Sequence, residues 1–212
     1  MTYIDFCDEL YADWLAGRNI LSARAAAAFV NQRGPVAEFA PEPYLTIGDQ
    51  SDPLALVMTN PGDAEPFQHR SAVDTKNSPL RSVRFRDASK DLGSYYSGAP
   101  AINAKAKDRF SKARTLAHRL GKSGFIVFQL LPFHSSKLDK SLISGLLEEP
   151  RLARYVSALS EHLHNYKTVC AVANVFLPAS GKPLPETFAQ VMEQRLDTLT
   201  LTPFTHGRGG QP

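Results

Sequence analysis

The sequence predicts an α/β fold: a three-layer α/β/α sandwich around a mainly parallel four-stranded sheet. Three observations predict it. Short strand-like runs open near Leu54, Phe125, Lys167 and Leu199, and the first two are continuously apolar rather than alternating, as strands covered on both faces are. Segments with apolar residues three and four apart separate them, so strand and helix alternate along the chain. Two of the runs pass directly into proline-containing polar turns, Asn60-Pro61-Gly62-Asp63 and Pro132-Phe133-His134-Ser135, where a chain leaves a sheet abruptly.

The elements follow in order. Residues 2–16 place Ile4, Phe6, Leu10, Tyr11, Trp14 and Leu15 on one face of an amphipathic helix. Ser22 suits the N-cap of a second helix over 23–32, which Gly34-Pro35 ends. Residues 44–48 form a short strand or hairpin arm leading to the strand that opens at Leu54. Pro61 fixes its own φ and Gly62 can take a positive one, so the turn exposes backbone N–H groups beside the Asn60 and Asp63 side chains.

From Asp63 to about Pro100 the prolines, glycines and serines predict a long irregular connection. A connection of that length in a compact domain is usually functional, so it is expected to be a ligand-covering loop with its arginines and Tyr95-Tyr96 exposed. A helix over 105–120 leads to the strand at Phe125. Helices over 139–147 and 151–163, a strand over 167–174, a helix over 185–196 and a strand over 199–204 follow. The chain reads as one domain, with 1–43 as an N-terminal helical segment and 44–212 as the sheet core. Parallel strands put their carboxyl ends on one edge, where open α/β sheets bind ligands. Asn60, Asp63, Gln129, His134, Asn174 and His206 should therefore converge there.

Composition narrows the function classes. The chain has 212 residues, 43% of them hydrophobic, enough for one substantial core. Its only cysteines, Cys7 and Cys170, are far apart, which supports neither a disulfide framework nor a metal or iron–sulfur site, and no cofactor is expected. Acidic residues occupy the first turns where a signal peptide would be basic, and no apolar run has membrane-spanning length. A soluble, cytoplasmic monomer is the expectation.

The net charge is +3, yet residues 71–124 alone carry twelve cations against four anions, +8, leaving −5 for the rest. Such a segment suits a polyanion, and phosphate backbones are the commonest. Cations interleaved with aromatic rings suit single-stranded or unstacked nucleic acid. A solvated helix face is the plainer alternative for the helical half of the segment.

Taken together, the Asn60-Pro61-Gly62 turn after a buried strand, Gln129 ahead of Pro132 on a second strand, and Thr205-His206-Gly207-Arg208 after the last strand resemble the uracil-DNA glycosylase superfamily. The Asn-Pro-Gly form is similar to its mismatch-specific and single-strand-selective branches, and the resemblance runs from Leu54 to the C-terminus. It implies an enzyme that binds DNA, flips a base and hydrolyses its N-glycosidic bond. In that scheme Asn60 orients water, Asp63 activates it or steadies the sugar cation, and His206 donates to the leaving base. Phe67 stacks on the base, Gln129 reads its edge, and Gly62 and His134 complete the base pocket. Arg70, Arg81, Arg84, Arg86 and Arg208 hold phosphates.

No lysine lies at a strand end, so a monofunctional hydrolase is expected rather than a Schiff-base lyase. Asn60 stands where the most active uracil enzymes have aspartate, Gln129 where asparagine is usual, and the last loop lacks the His-Pro-Ser form. These departures point to another damaged or modified base, such as a hypermodified base in phage DNA, and hence to anti-phage defence. Uracil or mismatch repair, a non-catalytic nucleic-acid-binding module and an enzyme acting on a free nucleotide are the alternatives. His69 stands in reserve for the catalytic histidine, whereas His118, His162 and His164 are expected on solvent-facing helix surfaces.

Overall fold

A computed structural model describes residues 1–73, 84–98, 104–138, 146, 149–172 and 201–204. Arg81, Asn174, His206 and Arg208 lie outside these residues, as do the helix expected over 185–196 and, apart from Leu146, the one over 139–147.

Helix α1 (Tyr3–Leu15) begins at a capping box, in which the Thr2 hydroxyl accepts from the Asp5 N–H and the Asp5 carboxylate accepts from the Thr2 N–H. Its buried face carries Tyr3, Phe6, Leu10, Tyr11 and Trp14, and the helix stops where Gly17 takes a φ of 71°. Helix α2 (Ala23–Ala26) is shorter than the sequence predicts. Ser22 caps it, but the chain then turns extended as β1 (Phe29–Val30), which pairs antiparallel with β5 (Lys137–Leu138). Phe29 packs edge-on against Phe133 at 5.5 Å between centroids, so tertiary pairing and burial override the helical preference of the alanines.

The sheet is mixed and mostly parallel. Its order is β2 (Tyr44–Gly48), β4 (Gly124–Gln129), β3 (Pro53–Met58), β6 (Val169–Val172), with β7 (Leu201–Phe204) beyond β6. Neighbouring pairs are parallel except for β2, which runs antiparallel to β4. The segment over 44–48 is thus an edge strand on β4 rather than one arm of a hairpin with β3. The central β3 and β4 are buried along almost their whole length, as their continuous apolar sequences require.

The segment after Asp63 is more regular than expected. After a short 3₁₀ turn (Pro66–Gln68) and the one-turn helix α3 (Arg70–Val73), Phe85–Gly98 forms a fourteen-residue helix, α4, laid against β2. Phe85, Ala88, Leu92 and Tyr96 are its buried stripe, at helical spacings of three and four. The glycines and serines of this stretch suggest a loop, but Gly93 is used for close approach: a Cβ there would sit 1.8 Å from the Thr46 carbonyl oxygen. Tyr96 is therefore in the core and Tyr95 half-buried, which corrects the expectation of an exposed aromatic loop.

Helix α5 (Ala104–Arg119) packs on β3 and β4, and α6 (Pro150–Leu163) packs on α1. Between α6 and the sheet the Tyr155 hydroxyl donates to the carbonyl of Gln129 at 2.6 Å, within reach also of Tyr3 and Pro43. No helix among the described residues is long and apolar enough to cross a membrane.

Candidate functional site at the carboxyl ends of the central strands

Strands β3 and β4 end side by side, with Met58 paired to Gln129, and the two turns that follow are tied together. The Leu130 and Leu131 amides donate to Met58 and Thr59, at 2.7 and 2.8 Å. The Ser135 amide donates to the Gly62 carbonyl at 2.7 Å, and the Asn60 side-chain amide donates to the Ser135 carbonyl at 2.9 Å. Asn60 is thereby held in one orientation beside the second turn. Gly62 takes a φ of 89°, which favours glycine, and a Cβ there would lie 3.3 Å from the Arg109 guanidinium. Arg109, from α5, donates to the Pro61 carbonyl at 3.2 Å, so a cation covers the Asn60-Pro61-Gly62 turn.

A buried polar cluster lies behind this turn. Glu42, between Pro41 and Pro43 at the entry to β2, is 3% exposed and accepts from Gln68 Nε2 at 2.7 Å. Gln68 is anchored in turn by the Glu65 N–H, which donates to its Oε1 at 2.7 Å, and lies 3.3 Å from the Tyr96 hydroxyl. His134 is 1% exposed, with its Nε2 3.9 Å from the Glu42 carboxylate.

Buried polar atoms at this edge lack hydrogen-bond partners: Gln129 Oε1 and Asp63 Oδ1 have none, and the His134 ring has none beyond the Gly62 backbone. Buried polar groups are nearly always paired, so several orphans at one sheet edge indicate groups that await a ligand or water.

The electrostatics fit a dry site. Burial raises the pKa of Glu42 from 4.5 to about 7, against the opposing effects of the Gln68 hydrogen bond and the Arg109 charge. Burial lowers that of His134 from 6.5 to about 4; the Gly62 backbone favours its charged form and the Arg109 charge disfavours it. At neutral pH His134 is a neutral imidazole, and Glu42 holds its proton more tightly than an exposed carboxyl does. Perturbed titratable groups beside a strand-end turn are a mark of functional sites.

The residues expected at the site divide into three groups. Asn60, Gly62, Asp63, Gln129 and His134 lie together at the ends of β3 and β4. Phe67 is nearby, but its ring is packed on Tyr95 at 4.2 Å and on Tyr96 at 6.1 Å, so it belongs to an aromatic cluster rather than standing free. The arginines are the third group. Arg70 turns inward, donating to the Ala37 carbonyl at 3.0 Å with its guanidinium over the Trp14 ring. Arg86 is held by Asp8 at 2.6 Å and lies 3.5 Å from Asp5. Arg84 is exposed at the start of α4. His118 and His164 are exposed as expected, whereas His162 is half-buried and stacks on Tyr3 at 5.0 Å.

Glu42, Gln68 and Arg109 are the residues that sequence reasoning passes over, and Tyr96 is one it places on an exposed loop instead. Glu42 did carry a signal, as an acid enclosed by two prolines directly before a strand. Arg109 carried none, because on a helix with so many cations nothing in the pattern singles it out. Among the described residues no three His, Cys, Asp or Glu side chains are grouped to hold a metal ion. Comparisons with protein-family models, with curated proteins and with solved structures found no match for this chain.

Proposed function

We propose that the protein is a monofunctional DNA glycosylase that hydrolyses the N-glycosidic bond of a flipped damaged or modified base. The observation that carries this reading is the held Asn60-Pro61-Gly62 turn beside the orphaned atoms of Gln129, Asp63 and His134. A flipped base needs edge partners in a water-poor pocket, and these are unpaired groups of that kind.

In this reading Asn60 and Asp63 position water on the sugar, and Gln129 and His134 hold the base edge. As the C1′–N bond breaks, charge collects on the leaving base, and neutral His134 supplies one N–H donor with the Arg109 cation nearby. Water adds at C1′, and its proton passes to solvent or to Asp63. The departures from the uracil-reading motif favour a modified base, and with it a defence role against phage DNA.

The chain context proposed for this site is a three-layer α/β/α sandwich. Phe125 of β4 lies 6.5 Å from Phe110 of α5, while Phe128 of the same strand meets Tyr3 of α1 and His162 of α6. Residues three apart on a strand face opposite ways, which supports helices on both faces. DNA contact is assigned to the exposed cations of α5, Lys107, Arg114 and Arg119, because Arg70 and Arg86 are engaged within the protein.

The test is incubation with oligonucleotides that each carry one defined base, and with modified phage DNA, followed by alkaline cleavage of abasic sites. Abasic product lost in Asn60→Ala supports the reading. No product on any substrate overturns it and leaves the non-catalytic binding module.

A further inference from the structure

A second concave site lies away from the strand carboxyl ends. Loop residues 50–53, the outer part of β2 and β4, one side of α4, and the end of α6 with the residues after it enclose a cleft of about 520 Å³, within the usual range for small-molecule sites. Its floor is apolar and aromatic: Tyr44, Ile126 and Phe128, all buried. One wall is formed by His162 and Tyr166, whose rings stand 5.5 Å apart and each meet Phe128 edge-on. Burial holds the His162 pKa below its ordinary value, so this wall is uncharged at neutral pH.

The mouth of the cleft is cationic. Arg86, Lys90 and Lys167 line it, against the single carboxylate Asp52. Asp52 is already bound by Lys122 at 3.1 Å, and Arg86 by Asp8, which lies outside the cleft. Lys90 and Lys167 make no ion pair or hydrogen bond with a described residue. The rim amides have committed their nitrogens: Asn165 Nδ2 donates to the His162 carbonyl, and Gln50 Nε2 to the carbonyls of Ile47 and Gly48. Their side-chain oxygens are left as acceptors.

We infer that this cleft binds a free mononucleotide, its base against His162 and Tyr166, its phosphate at Lys90 and Lys167, and its hydroxyl or amino donors at Asn165 and Gln50. An unpartnered sheet face alone would favour any apolar occupant. The excess of positive charge at the mouth selects an anionic one, the aromatic wall selects a flat ring, and the rim acceptors select N–H or O–H donors. A nucleoside monophosphate combines all three within the available volume. The inference is independent of base excision.

Isothermal titration of the full chain with nucleoside monophosphates tests it, alongside the matching nucleosides, inorganic phosphate and a tetranucleotide. At least one monophosphate is expected to bind with a micromolar Kd. The matching nucleoside and phosphate alone should each be at least about tenfold weaker, as should binding to the K90E/K167E variant, whose altered residues are exposed. Tyr166→Ala should weaken binding comparably. Absence of binding by every monophosphate overturns the inference, as does binding unchanged in K90E/K167E. Phosphate binding as tightly as the nucleotide would reduce the cleft to an anion site. A tighter tetranucleotide would make the ligand a nucleic-acid strand, and binding lost in Asn60→Ala but not in K90E/K167E would move it to the other site; each of these results also overturns it.

Discussion

Replacing Glu42 by glutamine should make the protein more stable at pH 8 while leaving it nearly unchanged at pH 4.5. The carboxyl is fully buried, and its pKa rises from 4.5 to about 7. At about 1.4 kcal/mol per tenfold change in proton affinity, that corresponds to about 3 kcal/mol. A raised folded-state pKa means that the folded protein binds the proton more tightly than the unfolded chain. Its stabilising effect is complete below about pH 4.5 and is lost as pH rises through 7.

His134 acts in the opposite direction. Its pKa falls from 6.5 to about 4, so its contribution is present above pH 6.5 and lost as pH falls towards 4. Between about pH 4.5 and 6.5 the two nearly cancel, and the wild-type protein should show little net slope from this pair. Glu42→Gln keeps an acceptor for Gln68 and removes only the titration. The stability difference, variant minus wild type, should climb by about 3 kcal/mol from pH 4.5 to 8, or roughly 10 °C in Tm for a chain of this length. Urea unfolding followed by circular dichroism at half-unit pH steps measures it. A difference that does not vary with pH would refute the placement of Glu42 as a buried, weakly compensated carboxyl.

Other substitutions test the remaining elements. Asn60→Ala removes the bond to the Ser135 carbonyl and should cost about 1 kcal/mol in chemical unfolding, yet reduce base release by about 100-fold or more under single-turnover conditions. Gly93→Ala would ordinarily favour a helix, but here its methyl meets the Thr46 carbonyl oxygen, so a loss of about 2 kcal/mol is expected in thermal unfolding. Reversing the exposed α5 cations together, as K107E/R114E/R119E, should weaken DNA binding and reduce the log–log salt slope by about 3, measured by fluorescence anisotropy from low to moderate salt.

The strands of the central sheet were the most legible part of the chain. Leu54 to Met58 and Phe125 to Phe128 are apolar at every position because both of their faces are covered, and that pattern needs no partner to be recognised. Helix α4 was misread for a local reason. Gly93, Ser94, Ser97 and Gly98 look like loop residues in isolation, and only contact with β2 explains why Gly93 has to be small. The stripe Phe85, Ala88, Leu92, Tyr96 was present in the sequence, masked by that composition.

The arginines show the same limit on the functional side. A cation count gives the charge of a segment, but whether Arg86 faces solvent or Asp8 depends on how α1 lies against α4. Local pattern and turn chemistry are enough to identify the buried strands, the points where the chain leaves the sheet, and Asn60, Asp63, Gln129 and His134 as strand-end residues. That Glu42 and Arg109 join them is visible in the fold alone. Both are brought in from distant elements, Glu42 ahead of the edge strand and Arg109 from α5, and proximity between such segments is set by packing across the sheet, which no single stretch of sequence encodes.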